Sequence, residues 1–107
     1  MKLFGSTPRS RLLTLIALLD KTYPRELARL SGVPLASLQR MVNDLERDGV
    51  LATRIVGANR ELSLNPRFYG AGELRSLLLK YAQRDPDLEH RVSALRRRPR
   101  RAGKPLP

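Results

Sequence analysis

"ELARLSGVPLASLQRMVNDLERDGVL", Glu26 to Leu51, decides the fold. Leu27, Ala28 and Leu30 recur at helical spacing and run out at Ser31-Gly32. Glycine there stops a helix most cheaply, because it takes the left-handed conformation without a side-chain clash. A second helix opens after Pro34 and runs from about Leu35 to Asp48. Its Leu38, Val42 and Leu45 fall at i, i+4 and i+7 on one face, with Met41 beside them, and Gly49 ends it. Val33 and Leu38 are placed to fill the angle between the two helices. The start of the second helix, Pro34-Leu35-Ala36, carries no charge and almost no hydrogen-bonding chemistry.

Working outward, "VLATRIV" (Val50 to Val56) alternates as a strand does, "GAN" (Gly57 to Asn59) has turn chemistry, and "RELSL" (Arg60 to Leu64) returns. Leu51, Ile55, Leu62 and Leu64 are expected to face the core, and Asn65-Pro66 closes the hairpin. Upstream, "STPRSRLLTLIALLD" is a first helix with Thr7 as cap and Pro8 at a position where no amide donor is missed. Leu12, Leu15, Ile16 and Leu19 make its stripe, and Leu13 and Leu18 widen it until the helix is apolar nearly all round. Thr22-Tyr23 reads as a short extended segment before Pro24, which starts the helix through Ser31. Downstream, "GELRSLLLKYAQR" is a fourth helix with Leu74, Leu77, Leu78 and Tyr81 on one side. Asp85-Pro86-Asp87 opens a fifth, continuing to about Arg98 on Leu88, Val92 and Leu95, and Pro99 ends it. From Arg96 the chain reads "RRRPRRAGKPLP", too poor in apolar surface to fold alone, so a disordered tail is expected. The expected organisation is a mainly α chain with a two- or three-stranded β element: a core over 1–66, C-terminal helices over 67–98 and a basic tail over 99–107.

A chain of 107 residues holds one small domain plus extensions. Its net charge of +11 favours a polyanionic partner, nucleic acid first and an anionic membrane surface second, against the alternative of a merely basic protein. Eleven basic against four acidic residues lie beyond position 66, so +7 of the +11 sits there. Without cysteine there are no disulfides, thiolate metal sites or Cys nucleophiles. "LLTLIALL" (Leu12 to Leu19) is far short of the ~20 residues of a membrane span and lacks a cleavage site behind it, so a cytoplasmic protein without a signal peptide is expected. The lone His90 makes no metal site, and Asp44, Glu46 and Asp48 have no nucleophile or base beside them. "GAG" at Gly70 to Gly72 lacks the spacing and lysine of a phosphate loop. No enzyme activity, cofactor or metal is expected.

"ELARLSGV", then "SLQRMVNDLERDGVL", then "TRIVGANRELSLNP" resembles the small bacterial and archaeal winged helix-turn-helix regulators near the ArsR and MarR groups. The resemblance covers roughly Leu3 to Tyr81, about three quarters of the chain. It implies a winged helix-turn-helix core with a β-wing, acting as a repressor-like transcriptional regulator on double-stranded DNA and as a homodimer. Physically, a projecting α-helix fits the major groove. Its outward residues are Leu35, Ala36, Ser37, Gln39, Arg40 and Asn43. Gln39 and Asn43, one turn apart, each suit a two-point grip on adenine, Arg40 suits guanine, and Ser37 suits a phosphate. The family usually carries Ser or Thr at the position of Pro34; Leu35 and Ala36 offer apolar contact to thymine methyls instead. The alternative is that this is only the solvated side of an amphipathic helix.

At the hairpin, Arg54, Asn59 and Arg60 suit phosphate or minor-groove contact, as the family's wing does. Alternatively, the two arginines are cross-strand surface residues that protect a hairpin edge. In the tail, Arg96, Arg97, Arg98, Arg100, Arg101 and Lys104 would release counterions from a duplex, or fold on RNA, or stay merely solvated. For dimerisation the candidates are Leu12, Leu15, Ile16, Leu19, Leu74, Leu77, Leu78 and Tyr81, unless that leucine face packs on the chain's own core. The thiolate metal sensing of ArsR-type proteins needs cysteines, so a constitutive or partner-controlled binder fits better. "LFGSTPRSRLL" also resembles small winged proteins found beside or fused to minimal nucleotidyltransferases. An antitoxin-like protein-partner module is therefore the alternative function, and an RNA-binding basic protein a third.

Overall fold

Gly32 stands at φ 77° in the computed structural model and donates its N–H to the Ala28 carbonyl, which closes the helix before it. A side chain there would meet no neighbour, so glycine is demanded by backbone conformation alone. The structure describes residues 7–97. The tail residues Arg98, Arg100, Arg101 and Lys104, and the expectation of disorder there, lie outside the described residues.

Five helices and one hairpin follow in order: α1 (Thr7–Leu19), α2 (Pro24–Ser31), α3 (Leu35–Arg47), β1 (Leu51–Val56), β2 (Asn59–Leu64), α4 (Ala71–Gln83) and α5 (Pro86–Arg97). Pro24 begins α2 as its fixed φ favours, and Pro34 precedes α3 with ψ 142°, the extended value that turns the chain between them. α3 ends in a Schellman arrangement, in which Val50 N–H bonds Leu45 O and Gly49 N–H bonds Glu46 O.

α1 is the centre of the molecule. Leu12, Leu13, Leu15 and Ile16 have no exposed surface, which is why a helix apolar on almost every side is stable here. Around it pack Leu27 from α2, Leu38, Val42 and Leu45 from α3, Leu51 and Leu62 from the hairpin, and Leu78, Leu88 and Val92 from α4 and α5. Each fully buried leucine contributes roughly 1.5–3 kcal/mol by leaving water. The helices beyond residue 66 thus complete the same core instead of building a second one. Arg91 fastens α5 to the end of α2, donating to the Leu30 carbonyl at 2.7 Å.

The strands pair antiparallel, Leu51 with Leu64, Thr53 with Leu62, Ile55 with Arg60 and Val56 with Asn59. Only Gly57 and Ala58 remain in the loop, so Asn59 belongs to β2 and not to the turn. Gly57 supplies the positive φ, 64°, that a tight two-residue hairpin loop needs. The third strand reduces to one bridge, where Thr22 and Leu62 exchange backbone hydrogen bonds of 3.0 and 2.7 Å. The expectation for Ile55 fails too. Ile55 does not face the core but is 72% exposed, because the hairpin runs on past the helical body that covers Leu51 and Leu62.

Candidate nucleic-acid interface

α3 buries Leu38, Val42 and Leu45 and turns its opposite side outward. Ala36, Gln39, Arg40 and Asn43 are exposed along that side, while Leu35 and Ser37 are half-buried at its start. The first turn has no side-chain cap, because the Pro34 side chain has no hydrogen-bonding group to offer. The Gln39 side chain has no hydrogen-bond partner among the described residues, and Arg40 donates one long bond of 3.5 Å to Ser37 Oγ. Both side chains are therefore free to exchange into contacts with a ligand.

Asn43 and Arg60 are placed differently. Arg60 reaches across from β2 and donates through Nη2 to Asn43 Oδ1 at 3.0 Å and to Glu46 Oε1 at 2.7 Å. Glu46 Oε2 accepts from the Thr53 hydroxyl at 2.6 Å. Four side chains on α3, β1 and β2 form one strut that sets the angle of the hairpin against the helix. The Glu46 carboxyl is held below the ordinary glutamate range. Thr53 is the largest cause, partial burial opposes it, and Arg60 adds to the lowering by hydrogen bond and charge. Sequence reading missed Glu46 and Thr53, because their partners lie 7 and 14 residues apart along the chain and no local spacing joins them.

Arg54 lies on the other face of the hairpin and pairs across the strands with Glu61 at 3.5 Å, its side chain still 71% exposed. That is the cross-strand arrangement, and it leaves the guanidinium accessible. Asn59 is exposed at the tip. Between the tip and the helices runs a groove of about 480 Å³, lined by Tyr23, Arg25, Arg29, Leu35, Gln39, Asn59 and Arg60 among others. Arg25 and Arg29 are exposed one turn apart on α2 and have no partner among the described residues. The sequence carried this signal: they sit opposite the inward Leu27 and Leu30. Arg47, also exposed, is bound to Asp44 on its own helix, and Arg9 of α1 approaches the same carboxylate at 3.5 Å.

The residues expected at a dimer face divide. Leu12, Leu15, Ile16 and Leu78 are wholly enclosed in one chain and form its core, so they present no surface to a second copy. Leu19, Leu74 and Tyr81 are half-buried, and Leu77 is 38% exposed. Arg96 and Arg97 enter only as the last residues of α5. Among the described residues no helix is long and apolar enough to cross a membrane. No group of three or more acids and histidines among them gathers as a metal site would need.

Five helices with a two-stranded antiparallel hairpin, joined in this order, make a winged-helix-like fold. The crystal structure of the adhesin competence repressor AdcR from Streptococcus pyogenes has a similar architecture, with a TM-score of 0.61 at 13% identity. The superposition covers 84% of this chain and 66% of that one, so this chain spans just under two thirds of the repressor's length. At that identity the likeness concerns the fold. No protein-family model and no curated protein matches the sequence.

Proposed function

We propose that this chain is a sequence-reading, double-stranded-DNA-binding transcriptional regulator of repressor type, working in the cytoplasm and akin to the ArsR and MarR groups. One observation carries the reading. The outward side of α3 is exposed and bears Gln39 and Arg40, neither of them held in a strong internal bond. Arg25 and Arg29 of α2 and Asn59 and Arg60 of the wing line one groove beside its Leu35 and Gln39. Arg40 is the guanine reader, Gln39 the adenine reader, and Leu35 and Ala36 lie against thymine methyls. Arg25, Arg29, Arg54 and Ser37 take phosphates, and Asn59 enters the groove edge. The basic tail adds affinity without reading sequence.

A single winged domain reads only a few base pairs, so the proposed working form is a homodimer with recognition helices about one DNA turn, roughly 34 Å, apart. Its contact lies on the outer side of α4 around Leu77, Leu74 and Tyr81. Selection from a random duplex library at about 150 mM salt, where non-specific binding weakens, tests both parts. A two-fold symmetric consensus is expected, and failure to enrich any sequence overturns the reading.

The exposed Ile55 and Val56 near the hairpin tip favour a second reading, a protein-partner module of antitoxin type. It predicts that Ile55→Asp abolishes partner binding and that no genomic duplex is retained above salt-sensitive background.

A further inference from the structure

We infer that Arg60 makes Asn43 a reader of guanine and not of adenine, so that a wing residue that itself touches no base sets one position of the recognised sequence. The inference rests on the DNA-reading proposal above and sharpens it.

A guanidinium has five N–H donors and no acceptor. Whatever faces Arg60 Nη2 at 3.0 Å must therefore be the oxygen of the Asn43 amide, and its NH₂ must point the other way. This fixes an amide orientation that is otherwise ambiguous. Asn43 is exposed, so the outward NH₂ is what a major-groove edge meets. The usual asparagine grip on adenine uses both ends of the amide, accepting from N6–H and donating to N7. Here the accepting end is shared with a cation. The oxygen keeps a second lone pair, but an adenine amino group taking it would bring its partly positive hydrogens up against the guanidinium charge. Guanine presents two acceptors, N7 and O6, in the same groove, and these suit the two free hydrogens of the Asn43 NH₂. The positive charge of Arg60 behind the amide strengthens those donors and favours the electronegative guanine edge further.

Arg60 cannot readily swing aside to release the oxygen. Glu46 Oε1 holds the same Nη2 at 2.7 Å, and Thr53 holds the other Glu46 oxygen at 2.6 Å. Its side chain is only 27% exposed. Arg60 is thus a positioning residue for base recognition, anchored from both strands of the wing.

The test compares base preferences selected by the full chain and by variants from one random duplex library. The wild-type consensus is expected to contain a guanine in each half-site that disappears in Asn43→Ala. In Arg60→Met the freed amide is expected to prefer adenine at that same position. The guanine-to-adenine ratio should shift by roughly tenfold, the discrimination that one two-point grip on a base supplies. Asn43→Asp keeps Arg60 paired but has no N–H to donate. It is expected to lose the guanine while the rest of the consensus survives, which tests the donor role of Asn43 separately, and a guanine that stays unchanged in Arg60→Met overturns the part given to Arg60. A wild-type adenine at the Asn43-dependent position, or no Asn43-dependent position, overturns this inference and leaves DNA reading intact. Absence of any wild-type consensus overturns the DNA-reading proposal itself, and this inference with it.

Discussion

Glu46 shows how much of the candidate site hangs on one carboxylate. It joins Thr53 of β1 to Arg60 of β2 and, through Arg60, to Asn43 on its own helix. Its pKa is lowered in the folded chain, so its stabilisation is complete where the carboxyl is ionised in both folded and unfolded states. It is lost as pH falls from the ordinary glutamate range through the lowered value. The side chain is 40% exposed, and solvent screens the contribution to under about 1 kcal/mol. Glu46→Gln is expected to cost that much at neutral pH and nothing in acid. Acid titration followed by the NMR signals of Thr53 and Arg60 should show the wing strut releasing in the wild type alone; identical titrations would contradict the assignment. None of this was legible in the sequence. Gln39 and Arg40 stood out because helical periodicity places them opposite Leu38 and Val42, whereas the strut exists only once the hairpin folds back over α3.

Among the elements, chain punctuation was readable to within a residue or so. Pro24, Gly32 and Gly49 bound α2 and α3 where proline geometry and left-handed glycine require it. The hairpin was harder. Alternation in β1 marks which residues share a face but not where the helical body stops covering it, and Ile55 fell beyond that limit. The end of α1 also holds a surprise: Asp20 takes φ 72°, a conformation that is strained for a residue with a side chain. Its compensation is an ion pair of 3.4 Å with Arg75 of α4, half-exposed and weak. Asp20→Gly is expected to raise stability by a few tenths to about 1 kcal/mol, visible as a rise of a few degrees in Tm. A fall in Tm would show that the ion pair outweighs the backbone strain.

For the whole molecule, the sequence left the apolar first helix either central to the core or shared with a second subunit, and the structure encloses it within one chain. α4 and α5 close over α1, so Leu12, Leu15, Ile16 and Leu78 are consumed as core. Periodicity cannot distinguish a helix covered by its own chain from one covered by a partner. Charge, by contrast, was read directly from the sequence. Deleting residues 96–107 removes six of the 21 basic residues. Each phosphate contact contributes about 0.9 to the slope of log affinity against log salt. The truncated chain is expected to bind duplex with a shallower slope and an unchanged consensus. An unchanged slope would remove the tail from the interface.

The proposed function turns on base reading by the exposed side of α3. It is tested most directly by titrating wild type and Arg40→Ala against a selected duplex and its scrambled counterpart at about 150 mM salt. Arg40→Ala is expected to weaken binding to the selected duplex by roughly 10- to 100-fold, the value of a two-point guanine contact, and barely to alter binding to the scrambled one. Equal losses on both duplexes would make Arg40 a phosphate contact and contradict the proposal.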